Sequence, residues 1–235
     1  MLGTAGVLLL ADGRFPAGGH AHSGGLEAAV ADGSVHDLGT LDLFLRGRLR
    51  TAGVVSAALA AIACRYAGES RTGADWAVLD AETDARTPSP AQRAASRRQG
   101  RALLRAAGVA WPDAPELAEV RDASRAGGAG RAAPHQCLVL GAAAAAAGCG
   151  PVEAALIAAY QSVSGPASAA VRLLAFDPLQ VSGMLARLAA EIDEAGRLGA
   201  AAAGGCPDEL PYATAPALDL LAEAHARNEM TLFAS

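Results

Sequence analysis

Lysine is absent from this chain: all 19 basic residues are arginine, set against 24 acidic residues for a formal net charge of −5. That absence excludes two classes at once. A Walker-type phosphate loop needs its lysine, and Schiff-base chemistry needs a side-chain amine. A self-contained P-loop GTPase and a pyridoxal enzyme are therefore both ruled out. The mild acidity gives no general reason to expect nucleic-acid or anionic-membrane binding. Aromatic residues are scarce too, with two Trp, three Tyr and four Phe, while alanine is abundant. Such thin side chains let helices approach closely, and alanine favours helix wherever glycine and proline do not interrupt it.

Cysteine is sparse and scattered. Cys64, Cys137, Cys149 and Cys206 show no CxxC spacing, which predicts buried thiols of a reducing compartment and no disulfide framework. Long apolar runs are missing as well. Stretches 137–152 and 154–171 carry no charge, but the first is mostly Ala and Gly, and the second contains Gln161, Ser162, Ser164, Pro166 and Ser168. A membrane span needs roughly 20 strongly apolar residues. The stretch from Leu2 to Ala11 has no preceding Arg or Lys and runs into Asp12-Gly13, a poor signal peptide. The expectation is a cytoplasmic protein with neither membrane nor nucleic-acid partners.

What is present is helical spacing, with no period-2 alternation long enough for a sheet. The predicted fold is all-α, a single domain over 1–235 built as a bundle of about ten helices. Helices are expected at 2–11, from a Ser23 cap to Val30, and from Leu41 to Tyr66 with a break near Gly53. Others are expected at 74–85, and from a Ser89 cap with Pro90 at the first position to Ala107. Trp111-Pro112-Asp113 reads as the start of a short acidic helix, and 124–134 as a loop. Further helices are predicted at 135–147, 151–163, 167–175, 178–195 behind Asp177-Pro178, and 216–227. In the 178–195 helix Val181, Met184, Leu185, Leu188 and Ile192 form the core stripe. Gly196 to Pro211 reads as a flexible connector.

Catalytic signatures are missing: there is no HExxH, no GxSxG and no zinc-spaced Cys/His pair. His20 and His22 flank Ala21, and His135 stands two before Cys137, but a metal site needs three or four convergent ligands and neither pair has local company. No metal, cofactor or catalytic residue is expected. On the helix from Pro90, Arg93, Arg97, Arg101 and Arg105 recur every four residues. This ridge reads as a solvated face, with an acidic partner as the sharper alternative. Ser96, Gln99, Gly100, Leu103, Leu104 and Ala107 occupy the opposing side, where Gly100 would let another backbone come close. The chain closes on an apolar segment, Met230 to Ser235, for which docking on its own core and docking on a partner both remain open.

These segments carry a family likeness. Asp12, Gly13, Pro16, Gly18 and then Ser23, Gly25, Leu26 and Glu27 resemble, in order, the opening motif of the urease accessory protein UreF family, which ends in S-x-G-L-E. Ser96, Gly100, Leu103 and Leu104 are similar to its S-x-x-x-G-x-x-L-L segment, and His135 to Gly141 to its histidine followed by glycine. Asp219, His225, Leu232, Phe233 and Ser235 resemble its tail. Two departures stand out: Ala175-Phe176-Asp177-Pro178 replaces a P-L-G-Q element, and Thr231 stands where the tail has arginine.

The resemblance implies a non-catalytic, dimeric scaffold that bridges UreD (also called UreH) and the GTPase UreG to load nickel into apo-urease. It implies a GTPase-side surface at Asp12, Arg14, Glu27 and Arg172. It implies a UreD-side surface at His225, Leu232, Phe233 and Ser235, on a docking tail at about 228–235. Pro16, Gly18, Ser23, Gly25, Leu26, Ser96 and Gly100 would be structural. The residues alone leave two rivals: a helical metalloenzyme using His20, His22 and Glu27, and a helical interaction module unrelated to urease.

Overall fold

The computed structural model describes residues 4–16, 22–69, 73–125, 133–227 and 232–233. Among these residues the ordered elements are helical, and no β-strand is formed. In order they are α1 (Thr4–Ala11), α2 (Leu26–Ala31), α3 (Leu38–Arg48), α4 (Val54–Gly68), α5 (Gly73–Ala85), α6 (Pro90–Ala110) and α7 (Pro115–Arg125). They continue with α8 (Gln136–Ala146), α9 (Pro151–Leu173), α10 (Pro178–Arg187), α11 (Ala189–Ala202) and α12 (Pro216–His225).

The hub is α4, whose run from Ala57 to Cys64 is wholly buried, and it packs against α8, α9 and α11. Alanine and glycine make that packing possible. A Cβ added at Gly141 on α8 would lie 2.4 Å from the Ala60 carbonyl oxygen of α4, so the two backbones are in direct contact. The helical stretch long and apolar enough to cross a membrane, Leu38–Gly68, is 67% buried inside the bundle over its most apolar window.

Caps fix several helix starts. Asp37 accepts the Thr40 N–H at 2.7 Å while Thr40 Oγ1 accepts the Asp37 N–H, a reciprocal capping box. Ser89 Oγ accepts from the Gln92 N–H at 3.1 Å, with Pro90 at the first helical position as expected. Asp177 likewise accepts from the Leu179 N–H ahead of α10.

Several expectations are corrected. The break near Gly53 is a π-helical turn, Leu49–Gly53, joining α3 to α4 without interruption. The two helices expected at 151–163 and 167–175 are one, α9, with Pro166 inside it. Proline lacks the N–H that would bond the carbonyl four residues back. Here that carbonyl, of Ser162, accepts instead from Arg48 Nε at 2.8 Å, so a tertiary donor repairs the helix. The expected 178–195 helix divides at Leu188, whose N–H is shared between the Met184 and Leu185 carbonyls in a tightened turn. Of its stripe, Val181, Met184, Leu188 and Ile192 are buried and Leu185 is half-buried against the core.

The connector predicted from Gly196 is helical to Ala202, because Gly196 and Gly199 are packing positions against α9 and α4. The seventh helix starts at Pro115, after the turn at Trp111, and α7 reaches into the loop predicted at 124–134. Cys64, Cys137 and Cys149 are buried as expected, but Cys206 is exposed.

Candidate functional site

Three separated segments meet around the tail. Gly25 takes a left-handed φ of 90° immediately before α2, and buried Ser23 accepts the Glu27 N–H at 3.2 Å. Glu27 is thereby held in the first turn of α2. Its carboxylate accepts two backbone N–H groups from the tail, Leu232 at 2.7 Å and Phe233 at 2.9 Å. From α12, His225 Nε2 donates to the Phe233 carbonyl at 3.0 Å and lies 3.7 Å from Glu27. From α9, the Arg172 guanidinium carbon sits 4.4 Å from the centre of the Phe233 ring, within cation–π range. Phe233 is 4% exposed, whereas Leu232 beside it is 77% exposed.

Leu232 and Phe233 thus lie against their own chain. Glu27 and Arg172, read from the resemblance as one partner surface, adjoin His225, Leu232 and Phe233, read as another. The described members of both sets other than Asp12 and Arg14 form a single cluster. Asp12 accepts the Arg14 N–H in a local turn, and both side chains are exposed. Pro16 is exposed, and Leu26 is fully buried. Gly18, His20, Thr231 and Ser235 lie outside the described residues. With its carboxylate committed to the tail, Glu27 does not stand as a third ligand beside His22.

A second constellation escaped the sequence reading. His135, fully buried, has Ser96 Oγ at 3.0 Å from Nδ1 and Asp84 Oδ1 at 2.9 Å from Nε2. Ser96 also accepts the Gln136 N–H, so its hydroxyl proton points to Nδ1, and the Nε2 proton goes to the carboxylate. Burial, then the Arg97 cation, depresses the His135 pKa, which keeps this neutral tautomer. For Asp84, burial works against ionisation but is outweighed by the His135 hydrogen bond and the Arg97 charge, leaving its pKa lowered.

Asp80, Asp84 and His135 could converge on a metal ion, yet the Arg97 fork already holds both carboxylates at 2.8–3.1 Å. A cation therefore occupies the trio from within the chain, and the arrangement ties α5, α6 and the start of α8 together. The expected arginine ridge is divided accordingly. Arg97 is paired, Arg93 donates to the Thr87 and Pro88 carbonyls, and Arg101 and Arg105 are exposed. Gly100 is where a neighbouring backbone passes: a Cβ there would be 2.0 Å from the Pro134 carbonyl oxygen.

Comparison with known proteins adds a family. Residues 35–189, more than half of the chain, match UreF. The urease accessory protein UreF of Mycolicibacterium vanbaalenii is 42% identical over 235 residues, covering 100% of both chains. That of Mycobacterium sp. strain JLS is 44% identical over 229 residues, 97% of each. The Mycobacterium tuberculosis H37Rv protein of the same name is 39% identical over 239 residues, again 100% of each.

Proposed function

The chain belongs to the UreF family of urease accessory proteins, chaperones and not enzymes, and from that premise we propose that it bridges UreD (UreH) and the GTPase UreG while nickel enters apo-urease. The working form is a cytoplasmic homodimer. Family membership removes the module unrelated to urease and the helical metalloenzyme.

One observation carries the reading: polar groups hold a tail that leaves a large apolar side chain, Leu232, turned to solvent. Among the described residues, three hydrogen bonds and one cation–π contact hold it, few enough for a partner to replace. UreD takes Leu232 and Phe233 as apolar anchors, with His225 and Ser235 beside them. Drawing the tail off α2 uncovers the Glu27 carboxylate and the Arg172 guanidinium for the GTPase, which Asp12 and Arg14 meet from the turn after α1. The two partners are thereby coupled through one patch.

A pull-down with UreD and UreG tests this, comparing the full chain with a version ending at Asn228. The expected result is loss of UreD from the shortened chain, and UreD retained at full yield sinks the tail assignment. UreG turnover with wild-type or Arg172→Ala protein tests the second half. An arginine reaching a GTPase site is worth roughly 10³–10⁵ in rate, so equal rates remove that role.

A further inference from the structure

A cavity of about 180 Å³ lies between α4, α6 and α12, with exposed Pro88 and Thr214 at its rim. Two arginines line it, and they are treated differently by the fold. Arg86 pairs with Glu82 and donates to the carbonyls of Pro211, Asp208 and Leu210. Arg48 has no carboxylate partner among the described residues. Its Nε donates to the Ser162 carbonyl and its Nη1 to the Gly24 carbonyl, each at 2.8 Å, while Nη2 makes no hydrogen bond there.

The surroundings hold this guanidinium in place. Pro166 leaves the Ser162 carbonyl available to it. Gly24 has φ 62°, and a Cβ at that position would lie 3.1 Å from Arg48 Cζ and 3.0 Å from Pro166 Cγ. Arg48 also ends α3, directly before the π-helical turn, a distortion that recurs at functional sites. A cation taken largely out of water is normally paired, because carbonyl dipoles do not cancel its charge, and Arg48 is half-buried. Burial is felt here: it pulls the Arg48 pKa down to about 10.

We propose that this cavity is a binding site for a small oxyanion, held by Arg48 with Nη2 turned to the ligand. The planar guanidinium fork matches oxyanion geometry; Ser56 and Gln99 line the same space, as does Asp219, whose pKa burial raises toward the neutral form. The volume has room for an ion of four or five heavy atoms. Its lining includes Gly24 and Gly25 before α2 and Leu218 and Ala222 of α12, but none of Glu27, Arg172, His225, Leu232 or Phe233.

The test is isothermal titration of the purified full chain with sulfate, phosphate and acetate, ionic strength being held by a bulky sulfonate buffer that cannot enter. Sulfate or phosphate binding with silent acetate identifies a tetrahedral ligand, and the reverse a carboxylate. Saturable binding is expected in the wild type and at least roughly tenfold weaker binding in Arg48→Gln. Should that variant not fold, the Arg48 Nε–H resonance of the wild type serves instead, identified by its loss in Arg48→Lys. It is expected to shift saturably with the binding anion. Flat titrations with all three anions, equal affinity in Arg48→Gln, or an unmoved Nε–H resonance overturns the site.

Discussion

Glu27 holds the backbone of Phe233 by its N–H at 2.9 Å, and the same carboxylate takes the N–H of Leu232. One side chain on α2 therefore anchors two consecutive amides of a segment at the far end of the chain. Hydrogen bonds to a charged group are worth about 1.5–3 kcal/mol each. In Glu27→Gln the charge is gone and a single carbonyl oxygen remains. The Leu232 and Phe233 amides are expected to exchange with solvent deuterium roughly ten- to a hundredfold faster, with α4 amides unchanged. Unchanged exchange at both would show that the carboxylate does not retain the tail.

Two glycines of α6 should respond to alanine with opposite signs. At Gly100 a Cβ would be 2.0 Å from the Pro134 carbonyl oxygen and 3.0 Å from the His135 carbonyl carbon, so backbone must move. At Gly108 nothing stands within 4 Å. Overpacking costs about 1–3 kcal/mol, while Gly→Ala in an unobstructed helix gains about 0.5–1 kcal/mol. Gly108→Ala is expected to raise the urea midpoint and Gly100→Ala to lower it. A shared sign would mean that propensity alone governs this helix.

The helices were legible where local chemistry sets them. Ser89-Pro90 and Asp177-Pro178 mark their own helix starts, and alanine-rich runs between them continue without competition. The expectations failed where a distant group decides. Pro166 looks like a boundary unless Arg48, more than a hundred residues earlier, is known to satisfy the Ser162 carbonyl. Gly196 resembles a hinge by composition, but it is small because the α9 backbone at Leu156 Cα would lie 3.1 Å from its Cβ. At the site, nothing in residue spacing brings Glu27 to Phe233. A signal did exist for the buried network: Asp80 and Asp84 are four apart on α5, as Arg93 and Arg97 are on α6. Paired across a helical hairpin, the two sets match, and Arg93 Nε does approach Asp84 at 3.8 Å.

His135 gives this network a pH signature. Its folded pKa lies below the 6.5 of the unfolded residue, from burial and then the Arg97 charge. Between those two values the unfolded chain binds the extra proton, so stability falls as pH drops below about 6.5 and levels off beneath the folded value. The slope reaches at most about 1.4 kcal/mol per pH unit. Asp84, also lowered, adds a loss below its unfolded 3.8. His135→Gln is expected to be less stable near neutrality yet to lose less Tm between about pH 7 and 5.5 than the wild type. Parallel Tm curves for the two proteins would remove His135 as the titrating group.

The thiols should divide by burial and not by position in the chain. Burial pushes Cys64 and Cys137 up to about 12, and raises Cys149 as well, with the Glu153 charge adding to the effect. For Cys64, burial is reinforced by nearby Cys149 and Glu153. At about pH 8 a thiol of pKa 12 is ionised in roughly one molecule in ten thousand, and the thiolate is the reactive form. Cys206 is exposed, before the short turn Pro207–Glu209. One equivalent of a disulfide reagent is therefore expected to react quickly with the native chain, and all four in denaturant. Cys206→Ser should abolish the fast phase and leave Tm nearly unchanged, because an exposed side chain contributes little packing. A fast phase that survives this substitution would place a buried thiol within reach of solvent, and with it an opening of the α4–α8 core.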